Sequence, residues 1–188
     1  MNGGLCQANH VLNLQVSGEE SDEPPEQTLQ RFADQHHYTG TTVAMMTAAA
    51  MTSLRHSQHV VDGHEMALFV SCGLSNARCA GDPADWHPSE TMPRGTINTV
   101  FITDFTLPTA TMVEISNLLT EAKCHALRRM GVLSPVSGEI ATGTGTDSTA
   151  VVGGHGKVQR WFGKHTREGE IAAQMMTACL TRSINRQK

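Results

Sequence analysis

Apolar residues recur at three- and four-residue spacing between positions 112 and 130. Met112, Ile115, Leu119, Ala122, Ala126 and Met130 thus form one stripe of a helix, its core-facing side. Pro108 precedes that helix, Thr111-x-x-Glu114 has the form of a capping box, and Gly131 stands where a left-handed C-cap residue belongs. A second helix is predicted over residues 26–37, opened by Pro25, with Leu29, Phe32 and Ala33 on one side. Thr166 caps a third, which carries Glu168 and Glu170 in its first turn and Arg182 and Arg186 in its last, the order that suits the helix dipole. Apolar and β-branched runs predict buried strands at 41–47, 65–72, 96–103 and 150–152, and residues 48–55 read as a short helix. Residues 17–25 are acidic and turn-rich and read as a solvated loop, and a long loop runs from Gly81 to Arg94. Strands and helices alternate without internal repeat. The predicted fold class is therefore α/β or α+β, a single layered domain over residues 1–188 with a mixed sheet packed by helices.

Composition narrows the function. At 188 residues, with 39% hydrophobic and 17% charged, the chain can build a core without disulfides or metal. No apolar run approaches the ~20 residues of a membrane span, and no basic-then-apolar leader follows Met1. The net charge of -4 argues against a nucleic-acid partner. Five cysteines without a C-x-x-C pair lead us to expect reduced thiols and a cytoplasmic location, with Cys72 a buried core thiol. His56, His59 and His64 cluster, but their spacing does not match a zinc pattern and Asp62-Gly63 inserts a turn among them, so no metal site is expected.

Candidate chemistry gathers where the predicted strands end. The richest stretch runs from Glu139 through Thr142, Gly143, Thr144, Gly145, Thr146, Asp147 and Ser148. Its glycines allow positive φ and close backbone approach, and free N–H groups there can hold an anion or a developing oxyanion. A glycine-rich turn without function is an equal reading of the same residues. The stretch lacks the Gly-Lys-Ser/Thr of a P-loop, and Ser148 takes the third-glycine position of a dinucleotide fingerprint. Ser75, Asn76 and Asn98 are candidate substrate-binding groups, against simple turn formation. Lys164 and His165 lie just before a helix start, where a neutral histidine can accept a proton, although His165 and Thr166 also suit plain capping.

These motifs, in this order, resemble the adenosylcobinamide amidohydrolase (CbiZ-type) family of corrinoid salvage. The resemblance rests on Asn2-Gly3-Gly4, Val11-Leu12-Asn13-Leu14-Gln15-Val16, Met46-Thr47-Ala48-Ala49, GLSNA-x-x-AGD from Gly73, GTINT from Gly95, EAK from Glu121, ATGTGTDS from Ala141 and GKHT-x-x-GE-I from Gly163. It covers nearly the whole chain. It implies hydrolysis of adenosylcobinamide to adenosylcobyric acid and 1-amino-2-propanol, with the cobalt belonging to the corrinoid substrate and no cofactor of the protein's own. An amidase needs an attacking oxygen, oxyanion donors and an acid for the leaving amine. Thr146 or Ser148 as nucleophile, or Asp147 with His165 activating water, would meet the first need; Lys164 or His165 would protonate the amine. A corrinoid-binding module without catalysis and a small-molecule amidase of other specificity remain as alternatives. A corrinoid is large, so a broad cleft or a homo-oligomer interface would suit it.

Overall fold

The computed structural model describes residues 4–17, 23–84 and 95–186. Its centre is a four-stranded mixed sheet. Strands β3 (Arg55–Val61), β4 (His64–Cys72), β6 (Ile97–Thr103) and β8 (Ser148–Val152) lie in that order, antiparallel up to β6 and parallel between β6 and β8. Two further pairs flank it: β1 (His10–Gln15) runs parallel to β2 (Thr42–Thr47), and β5 (Ala77–Arg78) antiparallel to β7 (Gly143–Thr144). The helices are α1 (Pro25–Gln35), α2 (Thr109–Met130) and α3 (Arg167–Asn185).

The two-residue period of a strand decides the layers. Met66, Leu68, Val70 and Cys72 of β4, with Ile97 and Phe101 of β6, are buried against the apolar stripes of α2 and α3. Those stripes hold Ile115, Leu119, Ala122 and Ala126 on α2 and Met175, Met176, Cys179 and Leu180 on α3. Alternate positions turn to the other face. There Asn13 Nδ2 of β1 donates to Ser71 Oγ of β4 (2.9 Å), which sets the β1–β2 ribbon on the sheet. This is the expected mixed sheet packed by helices. Cys72 is indeed a core thiol, at 1% exposure, and all five cysteines are free.

Several local expectations held. Gly131 adopts φ 64° and ends α2 in the left-handed conformation, and the Thr166 hydroxyl accepts the Gly169 N–H at the start of α3. Two did not. Thr111 and Glu114 form no capping box, because the N-cap is Pro108 and both side chains reach outward to a neighbouring segment. Thr111 Oγ1 donates to the Arg160 carbonyl (2.8 Å), and Glu114 accepts the Phe162 N–H (2.5 Å). Residues 48–55 are not a helix either: only a 3₁₀ turn at Met51–Ser53 forms before β3 begins. The Thr47 hydroxyl takes the Ala49 N–H locally, and strand pairing with β4 claims the chain from Arg55. Asp62 and Gly63, at φ 50° and 82°, make the tight turn of the β3–β4 hairpin. Within β3 the pleat sends His56 and His59 to opposite faces. Residues 18–22 of the acidic stretch 17–25 and residues 85–94 of the loop 81–94 fall outside the described residues, as do Asn2 and Gly3 of the Asn2-Gly3-Gly4 motif.

Candidate active site

Three segments meet where β6 begins: the turn after β4 (73–76), residues 95–98, and the 142–148 loop before β8. Asp147 ties the second and third of these to α2. Its carboxylate accepts the Ile97 N–H (2.9 Å), the Thr144 N–H (3.1 Å), the Thr144 hydroxyl (2.5 Å) and the Lys123 ammonium (2.6 Å). Four donors occupy the acceptor sites of one carboxylate. The Lys123 and Asp147 side chains are only 13% and 14% exposed, so the pair is largely withdrawn from water. Lys123 stands four residues after Leu119 on α2, at the border of the apolar stripe. A lysine there must find an acid or reach solvent. In the sequence it stands out only as part of the EAK motif; its place beside the core stripe is the feature that marks it.

The glycines work differently from expectation. Neither Gly143 nor Gly145 adopts a positive φ. What they provide is close approach. A Cβ on Gly143 would stand 2.3 Å from Asp147 Oδ2, and one on Gly145 would stand 2.5 Å from Asn76 Nδ2. The Gly145 N–H donates to the Asn76 carbonyl (3.1 Å), so backbone and side chain of Asn76 both lie against this turn.

Asn76 is 3% exposed, yet its carboxamide makes no hydrogen bond among the described residues. Asn98, at 2% exposure, is the opposite case. Its Nδ2 donates to Asn13 Oδ1 (2.8 Å) and the Met46 carbonyl (2.9 Å), and its Oδ1 accepts from Thr96 Oγ1 (3.2 Å). Asn98 therefore bolts β6 to the β1–β2 ribbon. Gly145 and Thr146 are exposed at the mouth of the cluster, and Ser148 is half-buried beside them with a hydroxyl unpaired among the described residues. Thr146 Oγ1 donates to the Gly95 carbonyl (3.1 Å). Thr142 Oγ1 accepts the Ala80 N–H (2.8 Å), and its carbonyl accepts the Cys124 thiol (3.1 Å). Burial pushes that thiol above its ordinary pKa. Nearby, Asp82 accepts from Ser134 Oγ (2.5 Å) and the Cys79 N–H (2.8 Å). The Ser134 hydroxyl, then that of Ser137, holds the Asp82 carboxyl below its usual range. Ser75 and Glu139 are exposed on the turns that lead to the cluster.

Lys164 and His165 lie elsewhere. Lys164 pairs with Glu121, and His165 packs beside Gly163 near the Glu114 carboxylate. Glu121 and Lys123 are two residues apart, so they project about 200° apart around α2. The Lys164–Glu121 pair thus flanks one side of the helix and Lys123–Asp147 the other. No hydrogen bond or ion pair among the described residues joins the two groups.

The glycine loop of this mixed α/β domain thus carries a clamped carboxylate, with the Asn76 amide beside it. The chain belongs to the adenosylcobinamide amidohydrolase (CbiZ) family, which it matches over residues 1–188. It is also similar to an uncharacterized protein of Methanocaldococcus jannaschii, 34% identical over 159 residues, which cover 76% of this chain and 62% of that protein. The chain thus spans a little under two thirds of that relative's length. No solved structure was found to match it. No helix among the described residues is long and apolar enough to cross a membrane.

Proposed function

We propose that this protein hydrolyses the amide linking the aminopropanol arm of adenosylcobinamide to its corrin, yielding adenosylcobyric acid and 1-amino-2-propanol. Family membership supports the substrate. The observation that carries the site is the Asn76 carboxamide, buried against Gly145 with no hydrogen-bond partner among the described residues. Asn76 as a residue is only 3% exposed, but its amide atoms are not sealed from solvent, so they are open to a ligand. A ligand oxygen in front of Asn76 could accept from its Nδ2 without displacing a partner among the described residues.

In this reading Asn76 Nδ2 and the exposed Thr146 N–H donate to the scissile carbonyl oxygen as it gains charge. The Ser148 hydroxyl, or a water held beside Thr146 and Ser148, attacks the carbonyl carbon. The proton of the attacking O–H passes to the amide nitrogen as the tetrahedral intermediate collapses and the C–N bond breaks; after attack by Ser148, a water hydrolyses the resulting ester, which releases the cobyric acid and restores the hydroxyl. Asp147 is a positioning residue here: its acceptors are engaged, and it fixes the 143–147 loop to β6 and α2. Thr142, Gly143 and Thr144 shape that loop, and Ser75 and Glu139 stand on its approaches. Asn98 sets the angle of the β1–β2 ribbon. Lys164 and His165, on the far flank of α2, carry no proton in this scheme. The cobalt arrives within the substrate.

The engaged state of Asp147 also favours a second reading, a corrinoid-binding module without turnover. Incubation with adenosylcobinamide followed by mass analysis separates the two. Hydrolysis gives the cobyric acid and free aminopropanol; a binding module retains the intact corrinoid; an amidase of other specificity does neither.

A further inference from the structure

The outer face of the α2–α3 pair holds a groove of about 730 Å³, within the range of small-molecule sites. It lies on the Glu121 side of α2, away from Lys123 and Asp147. Its floor is apolar: Leu118 and Ala122 from α2, Ala173 and Ala178 from α3. Thr177 adds to this, because its hydroxyl donates to the Ala173 carbonyl within the helix (2.9 Å) and is thereby satisfied.

The charged lining is unbalanced. Among the described residues Glu121 is the sole carboxylate that lines the groove, and it is paired with Lys164. Arg129 and Arg182 also line the groove, and neither meets a carboxylate among the described residues. Arg182 is nonetheless held in place, since its Nη2 donates to the His56 carbonyl (3.2 Å) and to Cys179 Sγ (3.3 Å). Its remaining N–H groups are left for another acceptor. His125 adds a ring nitrogen on the same wall. In a chain of net charge -4, two arginines beside an apolar floor, neither paired with an acid among the described residues, stand out. Guanidinium groups match carboxylate and phosphate oxygens two at a time.

We propose that this groove binds a small amphipathic oxyanion, a phosphate or carboxylate head on an apolar body, at a site separate from the Asn76 cluster. The two arginines take the head, and the alanine and leucine floor takes the body. A second copy of the chain is a poorer occupant: in a two-fold pairing the same patch meets itself, which would set Arg129 and Arg182 against their own counterparts.

Isothermal titration of the full chain tests this with phenyl phosphate and phenylacetate as probes and phenol as the neutral control. Both anions should bind saturably and phenol should not; the tighter of the two identifies the preferred head. Arg129→Gln touches no described hydrogen bond and should stay folded. It should weaken the preferred anion by about tenfold or more, the loss expected for a charged hydrogen bond. Ala178→Phe, which fills the floor, should abolish binding while Asn76→Ala leaves it unchanged. Phenol binding as tightly as the anions, or Arg129→Gln binding like wild type, would overturn the proposal. So would a titration with no saturable anion binding, or a groove covered by self-association that Arg129→Gln alters in sedimentation.

Discussion

Replacing Asp147 with Asn keeps the shape of the side chain and removes its charge. The native carboxylate satisfies four donors, from Ile97, Thr144 twice and Lys123. A carboxamide offers one acceptor oxygen and presents an NH₂ group where its second oxygen stood. At least one donor then faces another donor, and the Lys123 ammonium, 13% exposed, loses its counter-ion. Removing one partner of a buried pair costs about 3–5 kcal/mol. Some solvent reaches this pair, so the lower half of that range is the better expectation. For a domain of this size each kcal/mol lowers the Tm by roughly 2–4 °C, so Asp147→Asn should melt about 6–16 °C below wild type. Urea unfolding of Asp147→Asn, Lys123→Met and the double variant completes the test. The double variant should be less destabilised than the sum of the singles, by about 1 kcal/mol or more, because neither then strands a charge. Additive effects, or an Asp147→Asn protein that melts with wild type, would refute the clamp.

Further expectations follow from the same geometry. Gly145→Ala places a Cβ 2.5 Å from Asn76 Nδ2, so it should lower turnover sharply while secondary structure by circular dichroism is retained. Burial raises the Cys124 pKa, so the folded state holds that proton more tightly than the unfolded chain. Its contribution to stability is full below the unfolded thiol pKa of about 8.5 and declines as pH rises through the folded value, which urea midpoints across alkaline pH will show, with the decline absent in Cys124→Ala. The 141–148 stretch lacks a P-loop lysine, so turnover should need neither ATP nor GTP; consumption of the corrinoid only with added nucleoside triphosphate would indicate a kinase.

The layers were legible because they depend on periodicity. The α2 stripe, the central strands and the Gly131 and Thr166 caps all announce themselves through spacing and local residue type. What escaped was decided by distant partners. The Thr111 and Glu114 side chains have capping-box spacing, yet residues 160–162, about fifty positions away, take both. β3 is polar on much of its length, and the Asp62-Gly63 turn was its clearest mark. The site divided the same way. The glycine loop and Asn76 stood out as local motifs, and the structure brings both to the start of β6. That Asn98 is a bolt and Asn76 a spare amide depends on Asn13 and Met46, which no local pattern couples to them. The separation of Lys164 and His165 from Asp147 depends on which flank of α2 each segment crosses.

The central claim is that Asn76 stabilises the oxyanion of amide hydrolysis, and the kcat of Asn76→Ala on adenosylcobinamide tests it most directly. With circular dichroism and Tm close to wild type, kcat should fall by about 100- to 1,000-fold, the loss typical of one oxyanion donor, with KM changed far less. A folded Asn76→Ala protein that releases cobyric acid at the wild-type rate would contradict the account.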